Sequence, residues 1–201
     1  MQTYKICLIR HGTTRANEEG LYIGRTDLPL SPRGFARLME QKEKNVYPPA
    51  RRFFAPPLAR CRQTLSVLYP GCRIEDAPGL TECDFGEWEG KSAAELQNDS
   101  RFVRWLAGES REIPGGEEAS QFQRRVLEGF GRIVETLMRG GDTEAVLCAP
   151  GGVISLLMAA LALPRLDMKA WSADSGAGFL VRVTPTLWMR EPVMEFMCQV
   201  P

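Results

Sequence analysis

Apolar residues recur along this chain with two periods, and the switches between them mark its elements. Residues 4–9, YKICLI, form a short apolar run rich in β-formers and read as a buried strand. RRFFA (51–55), AVLCA (145–149) and GFLVRV (178–183) read the same way. Between them the spacing changes to three and four. Ser31-Pro32 is a helix start, with Ser31 as N-cap and Pro32 at the first helical position, and Phe35, Leu38 and Met39 follow at helical spacing. Leu58, Cys61, Leu65 and Leu68 mark the apolar face of a helix after the second strand. Phe122, Val126, Phe130, Ile133 and Leu137 predict a long helix, and GGVISLLMAALA opens another directly after AVLCA. Residues 79–116 are richer in charge, Trp and Gly, with short helical pieces around 92–97 and 100–107. That stretch is expected to be a helical, lid-like insertion over a site, within one domain spanning 1–201.

Strands alternating with helices imply an α/β sheet covered by helices on both faces. Ligands of such sheets bind at the carboxyl ends of the strands, which is where His11, Arg60 and Gly151 are expected to lie.

Composition narrows the function classes. The 201 residues are 44% hydrophobic and 25% charged, as in an ordinary soluble domain. Lys plus Arg equals Asp plus Glu at 25 each, so the zero net charge gives no support for nucleic-acid binding. The longest apolar segment, Val153 to Leu163, is too short for a membrane span. The start, MQTYKICLIRHG, lacks a signal-peptide pattern, so a cytoplasmic location is expected. The six cysteines form no C-x-x-C pair and have one histidine to join them, so neither a metal nor a cofactor is expected.

The candidate chemistry begins at LIRHGTT, which holds the sole histidine, His11, at the carboxyl end of the first strand. Gly12 permits close approach of an anion, and Arg10 offers a planar fork of donors suited to phosphate. Two other strings are decoys. Asp84-Phe85-Gly86 lacks the H-R-D loop that a kinase needs. Gly86 to Ser92 has three residues between its glycines, where a P-loop has four.

Five blocks occur in order: LIRHGTTRAN, YIGRTDLPLSPRG, PLARCRQT, LTECDFGEWEGK and IPGGEEASQFQRRV. Together they resemble the histidine phosphatase superfamily, also called phosphoglycerate mutase-like, over residues 5 to about 163. The resemblance implies a three-layer α/β/α sandwich with a mostly parallel central sheet. It also implies transfer of a phosphoryl group to the histidine of R-H-G, then hydrolysis or onward transfer. By motif position His11 is then the nucleophile and Glu82 the proton donor to the leaving oxygen. Arg10, Asn17, Arg60 and Gly151 bind phosphate. Plainer readings stand beside these: Arg60 as a solvated helix residue, Asn17 as a helix cap, Glu82 as one charge of an acidic loop. Tyr22, Arg25, Trp88 and Trp105 are candidate pocket residues. GLYIGRTDLPLSPRG with LTECDFGEWEGK looks most like the α-ribazole phosphatase branch, which favours a phosphatase over a mutase-type phosphotransferase. The implied partners are a small-molecule phosphate ester and inorganic phosphate.

The resemblance breaks in two places. Where the family carries a second histidine, ahead of a Gly-Gly pair, this chain has Pro150. Where a glutamate commonly follows R-H-G, it has Thr13. Proline can begin a helix, so Gly151 and Gly152 could still aim N–H groups at an anion while a side-chain donor is lost. Arg33 and Thr13 are candidate substitutes for that donor. Two readings therefore stand: a weakened phosphatase, and a non-catalytic protein that binds phosphate esters.

Overall fold

The computed structural model describes residues 2–44 and 46–201. Its strands are β1 (Tyr4–Arg10), β2 (Arg52–Ala55), β3 (Ile74–Asp76), β4 (Glu144–Ala149), β5 (Ala162–Leu163), β6 (Gly178–Val183) and β7 (Met194–Val200). They form one sheet in the order β3-β2-β4-β1-β6-β7-β5. β6 runs antiparallel to both its neighbours, β1 and β7, while the other pairings are parallel. The helices are α1 (Arg15–Glu18), α2 (Pro32–Lys44), α3 (Ala59–Leu68), α4 (Ala93–Leu96), α5 (Ser100–Leu106), α6 (Ala119–Gly140), α7 (Gly151–Leu161) and α8 (Pro185–Trp188).

The alternation of side chains along β1 and β4 makes the three layers. Ile6, Leu8 and Leu147 point into a core with Val126 and Phe130 of α6 and Ile154 and Leu157 of α7. Their neighbours Cys7, Ile9, Val146 and Cys148 point into a second core with Leu38 of α2 and Cys61 and Leu65 of α3. Burial on both faces is why these strands read as continuous apolar runs. The Ser31 cap forms as expected: its Oγ accepts from Gly34 N at 2.9 Å. α6 ends at Gly141 in the left-handed conformation, φ 74°.

Three expectations need correction. Phe35 and Met39 are 48% and 39% exposed; only Leu38 of that trio turns inward, and the other two border an apolar groove with Leu30 and Val67. β3, β5 and β7 have no counterpart in the apolar pattern. Trp88, a candidate pocket residue, is fully buried instead. It packs with Phe102, Leu96, Cys83 and Ile113 in a third core within the 79–116 stretch, with Tyr22, Phe85 and Trp105 against it. Its ring meets Phe102 edge-on at 5.4 Å, and its Nε1 donates to Asp99 at 3.4 Å.

Candidate active site

The adjacent parallel strands β1 and β4 pair Arg10 with Ala149, so the residues that follow, His11 and Pro150, leave the sheet side by side. The backbone N–H of His11 donates to the Ala149 carbonyl at 3.2 Å, which holds the two strand ends together. Chains leaving neighbouring strands open a crevice at this edge.

His11 is 5% exposed. Its Nδ1 lies 2.7 Å from the Gly12 carbonyl oxygen, which can only accept, so Nδ1 carries the proton and Nε2 keeps its lone pair. Burial drives the ring's pKa down to about 3; the Gly12 hydrogen bond works against this, and the Arg60 and Arg10 charges add to it. The imidazole is therefore neutral at physiological pH. Gly12 N donates to Thr64 Oγ1 at 2.9 Å, and the same hydroxyl donates to the Arg60 carbonyl at 2.7 Å, so one threonine on α3 fastens the His11 loop to the Arg60 turn.

Arg60 is buried at 2% exposure. Its Nη1 and Nη2 donate to the carbonyls of Thr26 and Gly24, each at 3.0 Å. The amide side of the same loop is held by Glu89, whose Oε1 accepts from Gly24 N at 2.7 Å and Arg25 N at 3.1 Å. Loop 24–26 is thus gripped between an arginine and a carboxylate, and Arg60 retains three further N–H donors. Arg10 donates from Nη1 to the Ala173 carbonyl at 2.8 Å, while its buried Nε has no hydrogen-bond partner among the described residues.

Glu82 reaches the start of α7. Its Oε2 accepts from Gly152 N at 3.0 Å and its Oε1 from Cys83 N at 3.0 Å. Burial raises its pKa; those two hydrogen bonds and the Arg60 and Arg125 charges pull the other way. A Cβ on Gly152 would sit 2.5 Å from Glu82 Oε1, so glycine is required for this approach. The Gly152 N–H expected to face a bound anion meets the protein's own Glu82 carboxyl instead. Gly151 serves a different neighbour: a Cβ there would come within 3.2 Å of Arg10 Nε. Pro150 is the N-cap of α7 at φ −62°, ψ 157°, one position before the first helical turn.

Asn17 is exposed, and its Oδ1 accepts from both the N–H and the hydroxyl of Thr14 at 3.0 Å, closing a capping box on α1. That bonding leaves the amide's donor end, Nδ2, as the part able to meet an oxyanion. Arg25 pairs with Asp84 at 3.2 Å on an exposed rim, and Tyr22 and Trp105 join the aromatic cluster with ring centroids 6.1 Å apart. Arg33 is exposed and lines a separate hollow of about 500 Å³ with Glu18, Arg37 and Glu40. Thr13 borders that hollow too.

Four supporting residues lie outside the candidate set: Thr64, Glu89, Glu117 and Arg125. All four belong to the quoted blocks, yet nothing in their spacing announces that Thr64, Glu89 and Arg125 meet backbone groups far away in sequence.

Comparisons with known proteins identify the chain's family and fold. The model of the histidine phosphatase superfamily (branch 1) matches residues 6–188. The adenosylcobalamin/α-ribazole phosphatase of Salmonella typhimurium is 30% identical over 190 residues, covering 87% of this chain and 92% of that protein. The α-ribazole phosphatase of Shigella flexneri superposes with a TM-score of 0.82 at 24% identity, covering 98% of this chain and 96% of that one, a likeness of fold. A phosphoglycerate mutase from Thermus thermophilus gives a TM-score of 0.70 at 30% identity, covering 98% of each chain. The family model covers most of the chain, and the sheet order and the R-H-G strand end fit it: this chain belongs to the histidine phosphatase superfamily, branch 1.

Proposed function

We propose that the chain hydrolyses small-molecule phosphate monoesters in the cytoplasm through a phosphohistidine on His11, at a rate lowered by Pro150. The observation that carries this reading is the placement of His11: buried, its Nδ1 2.7 Å from the Gly12 carbonyl oxygen, which leaves Nε2 as the unprotonated nitrogen of a neutral ring. Nε2 can attack phosphorus without first losing a proton. The P–O bond to the leaving group breaks as the N–P bond forms, and a protonated Glu82 delivers its proton to the departing oxygen. Water then attacks phosphorus and gives its proton to the Glu82 carboxylate. The N–P bond breaks, returning a neutral imidazole and releasing inorganic phosphate.

Each neighbour supports one part of that sequence. The raised pKa of Glu82 favours the protonated form that an alkoxide leaving group needs. The Nε of Arg10, which has no partner among the described residues, and the further donors of Arg60 suit phosphoryl oxygens, whose charge is the main thing to offset in phosphoryl transfer. Asn17 Nδ2 and the Gly151 turn complete the phosphate-binding set in this reading. Pro150 supplies no side-chain donor, and losing one such transition-state donor costs about 10²–10³ in rate.

The same Pro150 favours a second reading, a phosphate-ester-binding protein without turnover. The experiment that separates them is turnover across a panel of phosphate monoesters, α-ribazole 5′-phosphate included, with acid quench to trap a phosphoenzyme and a His11→Ala control. A phosphoenzyme and released phosphate, both absent in the control, are expected. An ester bound and recovered intact after long incubation leaves only the binder.

A further inference from the structure

We infer that Arg125 is a positioning residue for the proton donor, acting with Glu117 as a clamp that fixes where the Glu82 carboxyl sits; this rests on the assignment of Glu82 under Proposed function. All five donors of the Arg125 guanidinium are engaged. Nε and Nη2 donate to the two carboxylate oxygens of Glu117 at 2.6 Å and 2.7 Å. Nη1 donates to the carbonyls of Gly79 and Thr81 at 3.0 Å and 2.8 Å, and the second Nη2 hydrogen goes to the carbonyl of Glu82 itself at 2.8 Å. Three of the four carbonyls in the segment 79–82 therefore converge on one planar group. The fork itself is held from behind by a bidentate, buried carboxylate, with Glu117 8% exposed.

Apart from the burial of Leu80 in the first core, with Val126 and Phe130 of α6, the segment's regular structure is slight. The segment follows the three-residue strand β3, and no strand or long helix contains it; a single-turn 3-10 element at Pro78–Leu80 is its only regular structure. Arg125 lies on α6, the 22-residue helix packed on the sheet, so the clamp ties a loop to a long helix anchored by its buried face. Glu117 extends the tie in the other direction, since its backbone N–H donates to the Asp84 carbonyl at 3.0 Å. The Cα of residue 82 is thus fixed from both sides while its carboxyl is left to reach Gly152. The arrangement places the carboxyl without using it up: no Arg125 donor touches the Glu82 carboxylate. A lysine at this position keeps the charge and its pairing with Glu117, but its three donors and single nitrogen cannot span three carbonyls and a carboxylate.

The test compares benzyl phosphate, an alkyl ester that needs a proton to leave, with 4-nitrophenyl phosphate, whose leaving group needs little. For Arg125→Lys, kcat/KM on benzyl phosphate is expected to fall by roughly 10- to 100-fold, as for a reacting group displaced by about 1 Å. kcat/KM on nitrophenyl phosphate, which reports only the steps up to departure of a leaving group that needs little protonation, and inhibition by inorganic phosphate should stay within about 2-fold. Glu117→Gln, which keeps the shape and weakens the fork, should show the same split to a smaller degree, and it carries the test if Arg125→Lys fails to fold. In a Glu82→Gln background the Arg125 substitution should add nothing on benzyl phosphate. Equal slowing of both esters, or an undiminished Arg125 effect in that background, makes the residue merely structural and overturns the inference. If Glu82→Gln alone shows no difference between the esters, the acid assignment itself falls and the clamp's role with it. A parent protein that turns over neither ester refutes the hydrolytic reading as a whole.

Discussion

The ends of β1 and β4 lie next to each other in register, and they do opposite jobs. At the end of β1 the proposed chemistry rests on a side chain: His11 is buried, desolvated and held by its Nδ1 proton, and the backbone around it keeps it so. At the end of β4 the side chain has nothing to donate. Pro150 contributes a backbone angle, and the residues after it contribute their lack of side chains, so that Arg10 and Glu82 can close in on the start of α7. The difference teaches that a cradle of this kind can be divided between a reactive group and a shaped backbone. Loss of the reactive group at one end leaves the shape of the other standing.

The largest expected effect falls on the β1 end. His11→Ala should remove both turnover and acid-labile phosphoenzyme while circular dichroism stays that of the parent, because no other imidazole exists in the chain. Phosphorylation surviving in that variant would falsify the division of labour just described.

The next effect concerns the group that joins the two ends. Glu82→Gln is expected to lower kcat/KM on alkyl esters by about 10²-fold or more, the usual worth of a positioned acid, and on nitrophenyl phosphate much less. Equal losses on both substrates would mean that Glu82 matters for its hydrogen bond to Gly152 and not for its proton.

Pro150→His tests the silent end directly. The position's φ of −62° and ψ of 157° are open to any residue, so the substitution asks for no new backbone conformation. Turnover should rise by about 10-fold, part of the range such a donor is worth, and inorganic phosphate should bind more tightly. A fall in kcat in a folded variant would show that Pro150 belongs to a rearranged, fully working site.

The smallest effect is on stability against pH. The folded pKa of His11, about 3, lies below its ordinary 6.5, so between those values the unfolded chain binds the extra proton and acid favours unfolding. Lowering the pH from 7 to 5 should remove about 2 kcal/mol through this residue. Glu82 works in the opposite sense, because its raised pKa lets the folded state take up a proton first. The difference in denaturation midpoints between parent and His11→Ala, followed across that range, isolates the histidine's share. A parent and variant that run parallel would place the ring in a more solvated setting than its burial indicates.

Much of the fold and part of the site could be read along the chain. β1, β2, β4 and β6 are apolar on both sides or alternate cleanly, and α6 repeats its apolar positions over 22 residues, so local pattern and final burial coincide. β3 has three residues and β5 two, too few for a period. β7, MEFMCQV, carries a register shift against β6 and keeps several residues exposed, so its pattern is blurred by its position near the sheet edge.

By itself the sequence determined the strands buried on both faces, the Ser31 helix cap, the R-H-G strand end and the absence of a second histidine, because each is written in consecutive or periodic residues. Only the tertiary structure decided the rest. It turned Trp88 from a pocket candidate into the centre of a core and brought Glu82 onto Gly152 across 70 positions of chain. It likewise closed five hydrogen bonds around Arg125. Those outcomes depend on which backbone carbonyls and amides meet a side chain after the layers pack, and every residue carries the same carbonyl, so no letter in the sequence distinguishes the ones that will be used.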